Sequence, residues 1–327
     1  MKSFGHSKDN VVVLVSSAGR RVGLLNCFRE DAIALGINLR IIATDSDPDL
    51  SAACSLADES FAVPRADNTE FVPRLLEISK RQSVDVIIPT IDSELQAFAN
   101  SKREFAEIGT RVMVSDPKIV ALARDKLATT LALDAAGVSV PSTASVDTLT
   151  GVFPAYPRII KPRGGSSSKG IRFAHDPISF AKMKLNDDDI IQTVVVGDEY
   201  TVNMFFDQWG TLQAVVPHLR LETRSGEVSK AVTKRNEAMI DCARKVASAL
   251  NGAKGVLCFQ AKLGADEVPK VFEINARFGG GYPIAHAAGA EFSRWILEEV
   301  TDRKSSANDD WKDGKVMLRW DDAVFLR

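Results

Sequence analysis

The chain of 327 residues is long enough for two or three packed subdomains, and its 45% hydrophobic and 26% charged content is ordinary for a globular protein. A net charge of −2 gives no reason to expect nucleic acid or a membrane surface as a partner, and no apolar run approaches the ~18 residues of a membrane span. The polar start lacks the apolar core of a secretory signal, and the four cysteines are far apart. We therefore expect a cytoplasmic protein with buried thiols.

Apolar runs alternate with amphipathic segments through the first third of the chain. Strands are predicted at residues 11–15, 39–43, 60–63, 84–89 and 111–114, and helices at residues 22–35, 69–81 and 94–108. Strands that are apolar throughout and alternate with helices indicate a parallel sheet covered on both faces. The sequence thus predicts an α/β domain over residues 1–115.

Polar segments follow three of these strands, at the sheet edge where α/β domains bind ligands. They are SSAGRR at 16–21, TDSD at 44–47 and TIDSE at 90–94. The first lacks GxGxxG, so no dinucleotide site is predicted, and the arginines Arg20 and Arg21 favour an acidic group on the ligand. Helix capping by Asp92 and turn bracing by Asp45 are the structural alternatives. The candidate substrate contacts are Arg20, Asp45, Asp92 and Glu94.

The middle of the chain carries two lysines and a glycine-rich segment. Lys126 falls in a helical stretch that Asp116 is expected to cap and that runs, with an interruption, to residue 136. Lys161 ends a short strand, PRGGSSSKG follows, and a strand resumes at residues 171–174. Backbone N–H groups of such a hairpin form a nest for phosphate, and Lys161 adds positive charge. A solvated lysine and a flexible turn are the alternatives. The hairpin candidates are Gly164, Gly165, Ser166, Ser167 and Ser168.

A second hairpin suits a hard cation. Glu273 and Asn275 lie two apart and therefore share one face of a strand. Residues 255–263 read as the preceding strand, and the connecting loop places Gln260 opposite Glu273. One carboxylate and two amide oxygens then converge, as Mg²⁺ prefers, with Arg277 nearby. The alternative is a polar sheet edge that runs into a glycine-rich turn.

Two further segments complete the candidate site. Gly280 and Gly281 allow a ligand close to the backbone and are expected to begin the substrate pocket. Residues 216–234 read as a hairpin with its turn at 224–227. Arg224 at this turn is the candidate contact for a substrate carboxylate or a transferred phosphate, and a solvated hairpin tip is the alternative.

These pieces occur in a fixed order along the chain. A helix lysine comes first, then a strand lysine with a Gly-Ser hairpin, a strand with a downstream Glu199, and Gln260 with Glu273-x-Asn275. This order resembles that of the ATP-grasp superfamily. The match covers residues 116–283, and the first third looks like a pre-ATP-grasp domain. The metal set looks most like the carbamoyl-phosphate-synthase-large-subunit-like group, which includes stand-alone ligases such as that of pyrrolysine biosynthesis. The resemblance implies two α+β subdomains after the α/β domain, at 116–195, with a mobile hairpin at about 145–195, and at 196–327.

The resemblance also implies a role for each candidate. Lys126 and Lys161 contact the phosphates of ATP, the hairpin folds over them, and Glu199 holds the ribose. Gln260, Glu273 and Asn275 bind two Mg²⁺ ions, for which Mn²⁺ can substitute. Arg277 stabilises negative charge in the reaction. The adenine site is lined by Gln192, Val194 and Val195.

We therefore expect an ATP-dependent ligase that joins a small-molecule carboxylate to an amine through an acyl phosphate and releases ADP and phosphate. One alternative is phosphorylation of bicarbonate or carbamate, as in carbamoyl phosphate synthesis. An alternative of another class is a non-catalytic nucleotide-binding scaffold or sensor. A homodimer is the usual assembly of this group. Residue types in the predicted cleft do not specify the carboxylate or the amine.

Overall fold

The computed structural model describes residues 9–148, 156–165 and 170–325, so the predicted contacts Ser166, Ser167 and Ser168 lie outside the described residues. No described helix is both long and apolar enough to cross a membrane. The strands found in these ranges are β1 (Asn10–Ser16), β2 (Asn38–Asp45), β3 (Glu59–Ala62), β4 (Val86–Pro89), β5 (Arg111–Val112), β6 (Thr143–Ser145), β7 (Arg158–Pro162), β8 (Arg172–Ala174), β9 (Asp189–Thr193), β10 (Asp198–Phe206), β11 (Leu212–Arg224), β12 (Glu227–Thr233), β13 (Gly255–Leu263), β14 (Pro269–Asn275) and β15 (Val316–Leu318).

The α-helices found in the same ranges are α1 (Val22–Leu35), α2 (Ala52–Leu56), α3 (Phe71–Gln82), α4 (Leu95–Asn100), α5 (Lys102–Glu107), α6 (Pro117–Arg124), α7 (Lys126–Ala135), α8 (Pro177–Ala181), α9 (Glu237–Ala249), α10 (Tyr282–Ala287) and α11 (Phe292–Val300). The single helix predicted over residues 94–108 is two helices, α4 and α5, that meet at Ser101.

The N-terminal strands form a parallel sheet with the order β3-β2-β1-β4-β5. The central strand β1 pairs with β2 and β4, so that Val13 lies beside Ile41 on one side and Val86 on the other. All three side chains are buried, as expected for a sheet covered on both faces. The predicted α/β architecture is confirmed, and the carboxyl ends of β1, β2 and β4 share one edge.

Two antiparallel sheets follow. A six-stranded sheet has the order β14-β13-β10-β11-β12-β15, and a four-stranded sheet has the order β6-β9-β7-β8. In the β13–β14 hairpin Gln260 lies opposite Glu273, which is the register predicted from the loop. The domain boundaries predicted at residues 115 and 195 remain predictions.

The helical stretch around Lys126 begins and is interrupted as predicted, with Asp116 at the N-cap position of α6. The Asp116 side chain makes no capping hydrogen bond, however, and its carboxylate lies 3.7 Å from Lys102 Nζ. The break between α6 and α7 falls at Asp125, whose carboxylate accepts from the backbone N–H groups of Leu127 and Ala128 at 3.0 Å. A capping carboxylate fixes the start of a helix. Lys126 is therefore the first residue of α7, where its side chain can reach beyond the helix.

A buried polar cluster ties helix α1 to helices α10 and α11. His286 Nε2 donates to Asp31 Oδ1 at 3.1 Å, and Ser293 Oγ donates to Asp31 Oδ2 at 2.5 Å. Burial disfavours the imidazolium, but hydrogen bonds with Asp31 and Cys27 outweigh it and raise the pKa of His286 to about 10. A charged histidine therefore pairs with a buried carboxylate between the first and last parts of the chain.

Replacing His286 by alanine is expected to lower the free energy of unfolding by about 3 kcal/mol at pH 6, because Asp31 would remain buried without its cation. Because the pKa of His286 is higher in the folded protein than in the unfolded chain, its protonation stabilises the folded state. This stabilisation is complete below pH 6.5, the ordinary pKa of histidine, and is lost as the pH rises through about 10. The difference between the two proteins in urea unfolding should therefore shrink from pH 6 to pH 10. The exposed His175→Ala is the control; an equal loss in both variants would contradict this role.

Candidate active site

A cleft of about 410 Å³ lies where the three sheets meet. Its walls come from the turn after β1, the start of α7, strands β7 and β9, the β11–β12 hairpin, the β13–β14 hairpin and the glycine triplet after β14. The site residues brought together along it are Lys126, Lys161, Gly164, Gly165, Gln192, Val194, Val195, Glu199, Gln260, Glu273, Asn275, Arg277, Gly280 and Gly281.

The β13–β14 hairpin places three oxygen-bearing side chains on the cleft. Gln260 and Glu273 are cross-strand partners, and the register shifts immediately after Gln260. Asn275 follows on the same strand and faces the same cleft. No cluster of three His, Cys, Asp or Glu side chains occurs in the described ranges, so this set of one carboxylate and two amides is the candidate for a cation. Such oxygen ligands fit Mg²⁺ and leave positions for water or phosphate oxygens.

Two lysines lie beside these oxygens. Lys161 is almost fully buried at the end of β7, and its ammonium lies 5.6 Å from the ring centre of Phe272. Burial lowers the pKa of Lys161 to about 8, while Glu273 acts in the opposite direction and Lys126 lowers the pKa further. Lys126 Nζ donates to the Gly165 carbonyl at 2.7 Å, which connects α7 to the glycine-rich hairpin. This end of the cleft therefore presents two cations beside one carboxylate.

Arg277 is held in place from the N-terminal sheet. Its Nη2 donates to Asp92 Oδ2 at 2.7 Å, and both side chains are only 15% exposed. The same nitrogen lies 3.2 Å from the Asn275 amide oxygen. Burial disfavours the guanidinium, but Asp92 outweighs that effect and raises the pKa of Arg277. Asp92, predicted as a substrate contact, thus serves to orient Arg277 at the edge of the candidate cation site.

The adenine and ribose candidates also line the cleft. The buried Gln192 side chain donates to Thr143 Oγ1 at 2.8 Å, and the Val194 N–H donates to the Pro157 carbonyl at 3.2 Å. The Glu199 carboxylate accepts from Arg220 and lies 3.9 Å from Lys262 Nζ. A ribose hydroxyl would therefore meet a carboxylate that already has two basic neighbours. The ligand roles of these residues remain predictions.

Arg224 does not line the cleft. Its guanidinium pairs with Asp321, and its side chain is 65% exposed. Arg220, four residues earlier on β11, lines the cleft instead and is 6% exposed. Residues four apart share a face on a regular strand, but the pairing is irregular after Arg220 and after Glu222. Thr223 and Ser225 therefore line the cleft at the hairpin tip, and Arg224 between them does not. The sequence contained both arginines, yet it gave no sign of the irregularities.

The polar ends of the N-terminal strands mostly support one another. Glu94 is fully buried and accepts from Ser16 Oγ, Ser17 Oγ and the Thr90 N–H, each at 2.7 Å, so it is not a substrate contact. Asp45 accepts from the Gly19 N–H at 2.9 Å and braces the turn after β1. Both carboxylates satisfy buried polar groups in these turns.

The turn after β1 directs one of its two arginines into the cleft. Arg20, the predicted contact, is exposed and does not line it, whereas the neighbouring Arg21 does. The Arg21 Nη2 donates to the Thr90 carbonyl at 3.1 Å. The α1 helix starts at Val22, and this start fixes which side chain faces inward.

The glycine triplet packs tightly against the β11–β12 hairpin. A Cβ on Gly280 would lie 3.0 Å from the Glu227 carboxyl carbon, and one on Gly281 would lie 2.8 Å from Val228 Cγ1 and 2.9 Å from His218 Nε2. His218 is fully buried, and burial lowers its pKa to about 3, so the ring is neutral. The absence of side chains therefore allows α10 to begin directly against the hairpin.

Gly281→Ala is expected to lower the free energy of unfolding by about 2 kcal/mol, because the methyl group would overlap two buried side chains. Gly164→Ala is the matched control, since no atom of the described residues lies within 4 Å of its added methyl group. Urea unfolding measures both variants. Equal midpoints for the two would show that the triplet is loosely packed.

Residues 13–113 match the family model described as "PylC-like, N-terminal domain", and residues 123–281 match "ATP-grasp domain". No curated protein matches the chain in sequence.

Solved structures resemble the whole fold. The biotin carboxylase domain of Hydrogenobacter thermophilus 2-oxoglutarate carboxylase, solved with MgADP, ADP and bicarbonate, has a TM-score of 0.72 and 15% identity over 95% of this chain and 74% of that one. L-amino acid ligase from Bacillus licheniformis has a TM-score of 0.67 and 16% identity over 92% and 76% of the two chains. N5-carboxyaminoimidazole ribonucleotide synthetase from Thermotoga maritima has a TM-score of 0.63 and 16% identity over 92% and 78%. At such identities the likeness concerns the fold.

Proposed function

The chain belongs to the ATP-grasp family, and from this premise we propose that it is an ATP-dependent carboxylate–amine ligase that releases ADP and phosphate. One observation supports the proposal most directly. Two lysines, one carboxylate with two amides, and an oriented arginine converge on a single cleft. Phosphoryl transfer needs positioning and charge neutralisation more than covalent help from the protein, and these residues supply both.

Each of these groups has a distinct part in the proposed reaction. When bound, Mg²⁺ neutralises phosphate charge, and the oxygens of Gln260, Glu273 and Asn275 would hold it. Lys126 and Lys161 bind the phosphate oxygens of ATP from two elements, α7 and β7. Arg277, fixed by Asp92, faces the acceptor side and stabilises negative charge on the acyl phosphate.

The proposed chemistry has two steps. A carboxylate oxygen of the first substrate attacks the γ-phosphorus, the bond between that phosphorus and the β–γ bridging oxygen breaks, and ADP leaves. The amine nitrogen of the second substrate then attacks the acyl carbon, loses a proton, and displaces phosphate. No described side chain has to form a covalent bond, since the cleft supplies charge and position.

The test is release of ADP and phosphate from ATP and Mg²⁺ across a matrix of carboxylates and amines. Release that requires one member of each class supports the ligase. Release with bicarbonate and ammonia alone would favour the carbamoyl-phosphate-type reaction instead. Tight binding of ATP without turnover on any pair would favour a scaffold or sensor.

Glu273→Ala is expected to lower ADP release by more than about a hundredfold, because the candidate cation site would lose its only carboxylate. Glu237→Ala, an exposed change at the start of α9, is the matched control and should retain activity. Circular dichroism checks that both variants are folded. Turnover near the wild-type rate in Glu273→Ala would mean that the cation site is misassigned.

The affinity for MgADP is expected to fall about tenfold between pH 7.5 and pH 9.5, because Lys161 loses its proton above its pKa of about 8. Lys161→Arg should abolish most of that fall, since a guanidinium stays charged throughout this range. Calorimetric titration at the two pH values measures both proteins. An equal fall in wild type and Lys161→Arg would assign the pH dependence to another group.

A further inference from the structure

Arg21 lines the cleft and belongs to no element of the candidate phosphate or cation site. It lies in the turn between β1 and α1, partly buried, with one side-chain hydrogen bond to the Thr90 carbonyl at 3.1 Å. A guanidinium has five N–H donors in a planar fork. Within the described part of the chain, no carboxylate oxygen lies within 4 Å of those nitrogens.

The other arginines around the cleft each have a carboxylate partner. Arg277 pairs with Asp92 at 2.7 Å, Arg220 pairs with Glu199, and Arg319 pairs with Glu227 at 3.1 Å. Glu227 attracts Arg21 at longer range, but its salt bridge is with Arg319. Arg21 differs from these arginines because its guanidinium has no ion-pair partner in the described ranges.

Burial makes this arrangement unfavourable for the chain alone. Loss of solvent lowers the pKa of Arg21 to about 10, and repulsion from Arg277 adds to the effect. A buried cation without a partner is costly, and an anion placed against it offsets that cost. The arrangement is therefore best explained by an anionic group that arrives with a ligand.

The fold also defines where that anion would lie. The start of α1 packs on the start of α10, since a Cβ on Gly23 would lie 3.2 Å from Pro283 Cγ. This contact brings Arg21 beside the glycine triplet at 279–281, and Arg21 feels the charge of Arg277. The two arginines therefore line the same part of the cleft, close enough for their charges to repel each other.

We propose that Arg21 binds a non-reacting carboxylate of a substrate, so that one of the two substrates is an amino acid or a dicarboxylic acid. The inference rests on the proposed ligase function. The carboxylate that reacts loses its charge when it is phosphorylated, and Arg277 serves that group. A second arginine at the same end has a use only if a second carboxylate stays ionised through the reaction, and a planar fork binds such a group with two parallel hydrogen bonds.

The non-reacting carboxylate has two possible sources, and substrate pairs distinguish them. If the non-reacting carboxylate belongs to the amine substrate, the enzyme should accept an amino acid as the amine and reject the corresponding amino acid amide. If it belongs to the acyl substrate, succinate is used in preference to succinamate, which keeps one carboxylate that can react. In both cases Arg21 determines the preference, while the reacting groups are the same within each pair.

The chain offers a matched control at the neighbouring position. Arg21→Ala and Arg20→Ala remove the same charge from adjacent residues, of which only Arg21 lines the cleft. Arg21→Ala is expected to raise the KM of the substrate that carries the spectator carboxylate by about 10- to 100-fold, the loss of one charge-assisted pair. The KM for ATP should change by less than about twofold, and Arg20→Ala should match wild type.

Arg21→Lys keeps the positive charge but lacks the planar guanidinium, so it should recover only part of the affinity for the substrate. If Arg21 had a purely structural role, its replacement would affect the acids and their amides equally. The amide or half-amide analogues should show no difference between wild type and Arg21→Ala. Wild type that uses each acid and its amide equally well would overturn the inference while leaving the ligase function intact. The same holds if Arg21→Ala and Arg20→Ala give equal KM values.

A binding measurement separates failure of the inference from failure of the proposed function. If wild type releases ADP with no pair, the ligase function falls, and calorimetry with L-glutamate and succinate on the MgADP-loaded protein decides about Arg21. Binding that is present in wild type and Arg20→Ala and lost in Arg21→Ala supports the anion site. Binding that is absent in all three proteins, or equal in all three, overturns it.

Discussion

The ion pair between Arg277 and Asp92 joins the two parts of the chain where the chemistry is proposed. Asp92 follows β4 of the parallel sheet, and Arg277 follows β14 of the antiparallel sheet, 185 residues later. The pair is largely buried, so losing either partner would leave an uncompensated charge. Arg277 also contacts the Asn275 amide oxygen, which connects the N-terminal sheet to the candidate cation site. The shape of the cleft therefore depends on correct docking of both sheets, to which the cluster around Asp31 contributes.

The charge distribution along the cleft follows from this pairing. Asp92 pairs with Arg277, and Glu227 pairs with Arg319 while it also attracts Arg21 at longer range. Glu273 favours the charged form of Lys161, but burial outweighs this effect and lowers the pKa of Lys161 to about 8. A low-dielectric cleft lined with excess positive charge concentrates anions. An ATP polyphosphate at one end and a carboxylate at the other match this pattern.

Sequence periodicity correctly predicted those features of the protein that backbone geometry alone determines. Fully apolar strands predicted the parallel sheet, because both of its faces are buried. Side chains alternate along a strand, so Glu273 and Asn275 were placed on one face, and the short loop set Gln260 opposite Glu273. The order of the lysines and the hairpin then indicated the ATP-grasp family, whose family model covers residues 123–281.

The side chains that were misplaced are those for which two partners compete. Glu94 has the residue type of a ligand contact, but buried hydroxyl and N–H groups of neighbouring turns take its carboxylate. Asp116 occupies the predicted N-cap position of α6, yet its carboxylate lies near Lys102 and makes no capping hydrogen bond. Irregular pairing turns Arg224 outward and leaves Arg220 inside. Residue type therefore predicts that a strand end will be polar, whereas three-dimensional packing decides whether the polar group faces a ligand. By the same reasoning, a cleft cation such as Arg21 that tertiary packing leaves without a carboxylate is a stronger indication of a ligand than any residue type in the sequence.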